Sequence, residues 1–513
     1  MERKWWTLIV VCVATFMLLL DITIVNVALP KIATSLHASF SDIQWVIDAY
    51  ALTLASVLLT MGALADMFGR RLLFSIGLGL FSFTSLLCAL SPSSLFLVLA
   101  RAGQGIGGAM MFATSLSLLA QEFRGRDRGT AFGAWGATIA ASAAIGPLLG
   151  GFLTQDFGWS SIFYINVPIG IAGVVLARAK VAESRNPGNA RIDWLGTSTF
   201  TAALFALVFA IIRGNEEGWG SRVIVTLLAG GATLLALFVA SQFVQENAMF
   251  DVSLFRRPTF SGASLVAFTV SAGMFAMFLY IVLYIQTILN FSPLQTGLRF
   301  LPFTVVSFFV AAGSGNLTER VPVRLLLSAG LVMTGVGLLL MRGLTVNSHW
   351  TALLPGFIVA GAGVGLVNPA LASTAIGVVP PQRSGMASGI NNTFRQVGIA
   401  AGIAVLGAIF ESTLTNKIAP ALAGTKAAGQ ATSIAHAVAA GGAQQVLAAV
   451  PAGERAKAAL AIHSAYASAM NDVLLVGGIV ALAGALLAVV LVRRSDFVVQ
   501  GGPSHAPEPA AAA

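Results

Sequence analysis

The stretch GALADMFGRR, from Gly62 to Arg71, separates two apolar runs at residues 44–65 and 72–90. Each run is long enough to cross the hydrocarbon core of a bilayer as a helix. One acid, Asp66, and two arginines stand in the short link between them. We interpret the stretch as a charged link between two membrane helices at the membrane surface. Such a link suggests a part of the protein that moves.

The composition of the whole chain agrees with this interpretation. Of the 513 residues, 57% are hydrophobic and only 10% are charged. A soluble protein of this size needs more polar side chains to cover its surface. The chain is therefore predicted to be a polytopic membrane protein, with the lipid bilayer as its surroundings.

The net charge of +9 would suit a nucleic-acid partner, but the arginines are spread over many short links between apolar runs. This distribution is typical of the positive-inside rule, so we expect both termini in the cytoplasm and no nucleic-acid partner. The apolar run that follows Glu2-Arg3-Lys4 is too long for the core of a cleavable signal peptide. Cys12 and Cys88 fall inside apolar runs and predict neither a disulfide nor a metal site.

Fourteen apolar runs are predicted to form membrane helices, so the expected fold is all-α. They lie at about residues 5–30, 44–65, 72–90, 95–119, 130–153, 162–179, 194–213, 222–243, 259–287, 296–316, 323–343, 350–377, 386–411 and 468–492.

The chain carries an internal repeat. The opening stretch has an echo, because Gly62-x-Leu64-x-Asp66 returns as Gly315-x-Leu317-x-Glu319. Three glycines of the first half also return with the same spacing, namely Gly129, Gly133 and Gly146 as Gly385, Gly389 and Gly402. Two such matches in corresponding links indicate a duplicated six-helix unit, and hence two pseudo-symmetric bundles.

The repeat divides the chain into predicted domains. The two helices at 194–243 match neither copy and are interpreted as an insert. The predicted parts are a first six-helix bundle at 1–180, a linker with the inserted helices at 181–258, a second six-helix bundle at 259–494 with a long outer loop at 412–467, and a disordered cytoplasmic tail at 495–513.

Asp21 lies inside the first apolar run, where an acid costs about 2.5–3.5 kcal/mol on insertion scales. Such a residue usually faces a cavity or a partner, and burial favours reversible protonation of a carboxyl. We expect either a proton or cation site, or a structural acid that contacts Asn26 or Thr23.

Arg101 stands in the glycine-rich run LVLARAGQGIGGA and needs acceptors, which a nearby carboxylate or helix carbonyls would supply. It is either an arginine that exchanges partners when an acid is protonated, or half of a static pair. Asp48 and Glu411 near helix ends are either further proton or cation sites, or interfacial acids.

Two other polar or flexible stretches leave alternatives open. Gly146, Pro147, Gly150 and Gly151 make the fifth helix either a kinked gate or a tightly packed helix. Arg395 and Gln396 either line a cavity or anchor their helix. Aromatic and methionine side chains at 275–284 and 110–112 line a pocket or face neighbouring helices.

These residues resemble the major facilitator superfamily, and specifically its fourteen-helix drug:H+ antiporter branch. The matches to its motifs are Gly62, Leu64, Asp66, Gly69, Arg70 and Arg71 in the loop motif, Arg101, Gln104 and Gly105 in the second motif, Gly146, Pro147, Gly150 and Gly151 in the antiporter motif, LDxTIVNVALP at 20–30, and WxxxFxINxPxG at 159–170. The chain departs from the usual pattern at Met67, Ser142 and Ser160.

The resemblance implies two six-helix bundles around a central cavity that opens alternately to each side of a bacterial inner membrane. It implies that Asp66 and Arg70 form a clamp, and that lipophilic, often cationic drugs are exported in exchange for H+. It implies no cofactor beyond the proton motive force. Asn26, Gln104, Asn166, Arg395 and Gln396 are candidate cavity residues.

Three other functions are alternatives to drug export. A dedicated exporter of one metabolite, antibiotic or lipid would have the same sequence features. A nutrient symporter fits the antiporter motif poorly. An enzyme would need a catalytic cluster, and the sequence has no His–Asp pair, nucleophile motif or metal set. We therefore expect no enzymatic activity. The sequence leaves the oligomeric state open, with a monomer as the simplest expectation.

Overall fold

The computed structural model describes residues 2–38, 40–185, 193–245, 251–317, 320–380, 383–421, 431–439, 442–451 and 455–497. The long helices are α1 Arg3–Leu36, α2 Phe40–Phe68, α3 Arg70–Ala89, α4 Ser94–Glu122, α5 Gly125–Asp156, α6 Ser161–Lys180, α7 Trp194–Glu217, α8 Arg222–Val244, α9 Pro258–Ile288, α10 Pro293–Leu317, α11 Val323–Leu340, α12 Leu354–Gly377, α13 Ser384–Ala421 and α14 Arg455–Leu491.

Thirteen of the described helices are long and apolar enough to cross a membrane. The remaining long helix, α5, has 32 residues and spans about 48 Å, which exceeds the roughly 30 Å hydrocarbon core. It is rich in Gly and Ala, which allow it to pack closely against α1 and α10 inside the molecule. The all-α fold with fourteen long helices is therefore as predicted.

The helices on either side of the predicted outer loop 412–467 are longer than predicted. Helix α13 continues to Ala421 and α14 already begins at Arg455. Two short helices, Ala431–Ala439 and Ala443–Ala449, lie between them. The segment is rich in alanine, the residue with the highest helix propensity, and this composition explains the extensions.

The first residues of the predicted tail, 495–497, belong to the described structure. Arg494–Asp496 form a short 3₁₀ turn. The Asp496 carboxylate accepts a hydrogen bond from the backbone N–H of Thr259 at 3.1 Å, in the first turn of α9. A carboxylate at a helix N-terminus is favourable, and this contact holds the residues that follow α14. Residues 498–513 lie outside the described residues.

Two six-helix bundles make up most of the molecule, with α1–α6 in the first and α9–α14 in the second. The bundles meet where α2 packs on α13 and where α5 packs on α10. The inserted helices α7 and α8 pack on each other, and α7 also contacts α2 and α13. We call the face at which α1 begins the terminal face; α5 begins there too, with Lys4 Nζ 2.9 Å from Asp127 Oδ2.

Some of the repeated glycines lie at the two interfaces between the bundles. A Cβ atom at Gly62 of α2 would lie 2.7 Å from the carbonyl oxygen of Gly385 in α13. A Cβ atom at Gly133 of α5 would lie 2.9 Å from the carbonyl oxygen of Ala311 in α10. Small residues allow helix backbones to approach this closely in a membrane. The duplicated glycines thus mark two equivalent helix crossings; Glu319, the repeat counterpart of Asp66, lies outside the described residues.

Candidate functional site

The most buried charges of the first bundle form an ion pair. Asp21 of α1 and Arg101 of α4 are each 1% exposed. Arg101 Nη1 donates to Asp21 Oδ2. Asp21 stands eighteen residues after the start of α1, about 27 Å along the helix, and therefore in the half of the membrane away from the terminal face.

Polar side chains from three further positions complete the surroundings of the Asp21 carboxylate. Gln104 Nε2 donates to Asp21 Oδ1 at 3.0 Å, and Asn166 Nδ2 donates to the same oxygen at 3.3 Å. The two amides also reach Ser85 Oγ, at 2.8 Å and 3.4 Å respectively. Four helices, α1, α3, α4 and α6, therefore meet in one buried network.

Arg101 has acceptors besides the carboxylate. Its Nε donates to the carbonyl oxygen of Val46 at 3.0 Å, and its Nη1 donates to Gln104 Oε1 at 2.7 Å. The guanidinium carbon lies 4.2 Å from the centroid of the Tyr50 ring. Both kinds of acceptor that the sequence led us to expect, a carboxylate and a helix carbonyl, are therefore present.

Asp66 and Arg70 form a second buried pair that joins the two bundles. Arg70 Nε donates to Asp66 Oδ1 at 2.9 Å. The same carboxylate accepts the backbone N–H groups of Gly385 at 3.1 Å and Met386 at 2.8 Å. These N–H groups lie in the first turn of α13, where the helix dipole favours a negative charge. The loop stretch is therefore attached to a helix end of the opposite bundle.

The other end of the same stretch is held by the link that follows α6. Glu183 accepts the backbone N–H groups of Arg71 at 3.0 Å and Leu72 at 3.1 Å. Gly69 has φ +124°, and a Cβ atom there would lie 2.7 Å from the Glu183 carboxyl carbon. The predicted linker that starts at residue 181 is thus fixed where it begins; residues 186–192 lie outside the described residues.

The glycines of the antiporter motif pack against α1. A Cβ atom at Gly146 would lie 2.7 Å from Thr23 Cβ, and one at Gly150 would lie 3.0 Å from the carbonyl oxygen of Ile24. Gly151 is partly buried, and α5 is helical throughout. These contacts favour a tightly packed helix, which is one of the two alternatives that the sequence left open. The side chain of Pro147 lies outside the described part of the structure.

The remaining candidate residues are distributed over both bundles. Asp48 on α2 and Glu411 on α13 are partly buried and belong to different bundles. Arg395 of α13 is 4% exposed, whereas the neighbouring Gln396 is partly buried. The side chain of Asn26 lies outside the described residues.

Sequence reasoning missed three residues that take part in these networks, namely Ser85, Tyr50 and Glu183. Serine and tyrosine are common in membrane helices, and a single glutamate in a polar link has no distinguishing spacing. Their contacts depend on which helices are neighbours, so no local signal could have identified them.

The fold and these networks define the class of protein: a multi-pass membrane protein built from two related six-helix bundles around buried charges. The sequence profile of the Major Facilitator Superfamily matches residues 11–403, and the chain belongs to this superfamily. Sequence reasoning therefore identified the family correctly.

Relatives extend this comparison. The chain is 36% identical over 419 residues to the multidrug resistance protein Stp of Mycobacterium tuberculosis, covering 81% of this chain and 78% of the relative. It is 31% identical to the tetracenomycin C resistance and export protein of Streptomyces glaucescens, covering 100% and 95%. The crystal structure of the human organic anion transporter MFSD10 has the same fold, with a TM-score of 0.59, 14% identity, and coverage of 94% and 100%.

Proposed function

We propose that the protein is a proton-coupled antiporter that exports lipophilic, often cationic drugs from the cytoplasm by alternating access. The names of the two bacterial relatives, which refer to multidrug resistance and to antibiotic resistance and export, support drug export. The observation that carries the coupling is the buried Asp21–Arg101 pair, because a carboxylate inside a membrane bundle is the group that can take up a proton.

Protonation of Asp21 would remove the negative charge that faces Arg101. A buried arginine that loses its only counter-ion is strongly destabilised. Here the carbonyl of Val46, the amide oxygen of Gln104 and the face of Tyr50 remain as acceptors of its hydrogen bonds and charge. The pair can therefore separate without leaving Arg101 unpartnered, which is what a reversible proton switch requires.

Helix α2 provides a mechanical route from this pair to the contact between the bundles. The carbonyl of Val46 in α2 binds Arg101, and Asp66, twenty residues further along α2, binds the start of α13. The two positions are about 30 Å apart along one helix. A tilt of α2 caused by movement of Arg101 would therefore pull on the Asp66 contact.

In this proposal the terminal face is cytoplasmic and the membrane is the bacterial inner membrane. The arginines around Asp66, together with Arg3 and Lys4, then lie inside, in agreement with the positive-inside rule. One charge that crosses about 100 mV supplies about 2.3 kcal/mol, which is enough for roughly fifty-fold accumulation. This energy drives export of a neutral drug in exchange for one proton. Exchange of one proton for a monovalent cation moves no net charge, so a cationic drug draws on the pH gradient or on a second proton.

The test is transport in proteoliposomes with an imposed pH gradient and rhodamine 123 as the cationic dye. Asp21→Asn removes the titratable group but keeps the size and one acceptor oxygen. We expect it to lose transport that depends on the pH gradient, whereas Asp156→Asn, at an exposed acid at the end of α5, should behave as the wild type. Wild-type proton-coupled transport by Asp21→Asn would contradict the assignment.

A dedicated exporter of one antibiotic is the second candidate. It is favoured by the relative that covers the whole of this chain and is named for resistance to, and export of, tetracenomycin C. A resistance profile across unrelated dyes and drugs distinguishes the two functions. Protection against several unrelated compounds supports the multidrug exporter, and protection against one supports the dedicated exporter.

A further inference from the structure

A second buried arginine, Arg395 of α13, differs from Arg101 in its partners. It is 4% exposed, and its Nη2 donates to Asn368 Oδ1 at 3.0 Å. Its Nε has no hydrogen-bond partner, and within the described residues no carboxylate forms an ion pair with it. Burying a guanidinium without a counter-charge is costly, so this position is suited to an anion that comes from outside the chain.

Unpartnered polar groups surround Arg395. Ser388, Asn391 and Arg395 follow one another at i, i+3 and i+7 on α13, so their side chains share one face of the helix. The Ser388 hydroxyl and both polar atoms of the Asn391 amide are buried without a partner in the described structure, as is the Asn368 Nδ2 group. Buried polar groups are nearly always hydrogen-bonded, so a cluster of unpaired ones indicates a ligand position.

This cluster faces the first bundle. Asn392 Nδ2, on the same face of α13, donates to the carbonyl oxygen of Phe112 in α4 at 3.1 Å. A Cβ atom at Gly136 of α5 would lie 3.3 Å from Asn368 Cβ. The rings of Phe112 and Trp135 are stacked with centroids 6.1 Å apart, and the Trp135 indole N–H is buried without a partner among the described residues. The backbones of α4 at Phe112 and of α5 at Gly136 therefore pack against the polar residues of the second bundle, next in sequence to the stacked rings.

The four residues lie at a common depth within their membrane-spanning helices. Phe112, Trp135, Asn368 and Arg395 each lie roughly ten residues from the end of their helix at the terminal face. Ten residues of helix correspond to about 15 Å. Transporters built from two repeats bind their substrates inside the membrane, between the repeats.

We propose that Arg395, together with Asn368 and Asn391, binds the anionic group of an aromatic organic acid, such as a carboxylate or a phenolate. The guanidinium supplies a charge and a fork of donors, and the two amides supply neutral donors. Trp135 and Phe112 supply a flat surface for the aromatic part of the molecule. The inference rests on the proposed function as an exporter and extends its substrates from cations to aryl acids.

Two dyes with the same xanthene scaffold and opposite charge test this site. Fluorescein is the anionic probe and rhodamine 123 the cationic one, and both are quantified at fixed pH after transport in proteoliposomes with an imposed pH gradient. We expect the wild type to export both dyes. Arg395→Gln should raise the KM for fluorescein about tenfold or more, which is the size expected for a lost charge-assisted hydrogen bond. The same variant should change the KM for rhodamine 123 less than about twofold.

Three further variants separate binding from folding. Arg395→Lys keeps the charge and should restore part of the fluorescein affinity. Asn391→Ala removes an amide that has no hydrogen-bond partner among the described residues, so the fold loses no hydrogen bond while fluorescein binding weakens. Arg222→Gln, which neutralises an exposed arginine at the start of α8, is the matched control and should leave both dyes unchanged.

The outcomes distinguish this inference from the proposed function. Export of rhodamine 123 without export or binding of fluorescein overturns the anion site and leaves the exporter standing. Equal loss of both dyes in Arg395→Gln and Asn391→Ala also overturns the site, because it reveals a structural role. A third outcome is that fluorescein binds to the purified protein, as measured by anisotropy, and that this binding depends on Arg395, while neither dye is transported. This outcome supports the anion site and contradicts the function as an exporter.

Discussion

The Asp66 carboxylate of α2 accepts the backbone N–H of Met386 in α13 at 2.8 Å, across the interface between the two bundles. The contact joins a side chain of the first bundle to the unpaired donors of a helix start in the second. It holds the bundles together near the terminal face, and its strength depends on the charge of a single carboxylate.

Asp66→Asn is expected to loosen this contact, because a neutral amide oxygen is a weaker acceptor than a carboxylate. In a background without Cys12 and Cys88, a thiol introduced by Met386→Cys should be alkylated about tenfold faster when Asp66→Asn is also present. Met386 is 6% exposed, so its modification reports separation of α2 and α13. An unchanged rate would show that Asp66 does not hold the interface closed.

Gly62→Ala is expected to push α2 away from α13, since the added methyl would lie 2.7 Å from the Gly385 carbonyl oxygen. Overpacking of this kind destabilises by about 1–3 kcal/mol. The matched control is Gly79→Ala on α3, where an added Cβ meets nothing within 4 Å and alanine improves helix propensity. Thermal unfolding in detergent should show a lower Tm for Gly62→Ala only; equal Tm values would contradict the close approach.

Neutralising both members of the Asp21–Arg101 pair should cost less stability than neutralising one. Arg101→Gln leaves a buried carboxylate without its counter-charge, which costs about 3–5 kcal/mol, and Asp21→Asn leaves a buried guanidinium. The double variant removes both unpaired charges, so a double-mutant cycle of unfolding free energies should be strongly non-additive. Additive losses would mean that the two groups do not interact. The double variant should regain stability without regaining proton-coupled transport.

The ion pair between Asp251 and Arg383, in the links before α9 and α13, should contribute to stability over the whole physiological pH range. Partial burial raises the pKa of Asp251, but hydrogen bonds from Ser253 and Arg383 outweigh it and hold the pKa below its ordinary value. A depressed carboxyl pKa stabilises the fold above the ordinary value of about 4, and the contribution disappears as the pH falls through the lowered pKa.

The Tm difference between wild type and Asp251→Asn should therefore be constant from about pH 8 to pH 5 and should shrink only below about pH 4. The control is Asp156→Asn, at an exposed acid, whose Tm should show no comparable difference from that of the wild type. A difference that already vanishes near pH 6 would show that the Asp251 carboxyl has a raised pKa.

The helices could be predicted because a chain in lipid must satisfy its backbone hydrogen bonds within each span, and this requires long apolar runs. Asp21 and Arg101 could be singled out because charges are costly in such runs. Glu183 could not, since its role depends on the left-handed turn at Gly69 and on α3 lying beside the link. The extended ends of α13 and α14 were missed because their alanine-rich turns lack the hydropathy of a span.

The number of membrane helices, the duplicated unit and the charged residues that need partners could be predicted, because each of these follows from local composition and spacing. The identity of those partners depends on how the helices pack. The tertiary structure brings Ser85 and Asn166 to Asp21, places Asp66 at the start of α13, and leaves Arg395 with an asparagine in place of an acid. Hydrogen bonds act over about 3 Å, and contacts between residues far apart in the chain are set by helix packing, which no local pattern encodes.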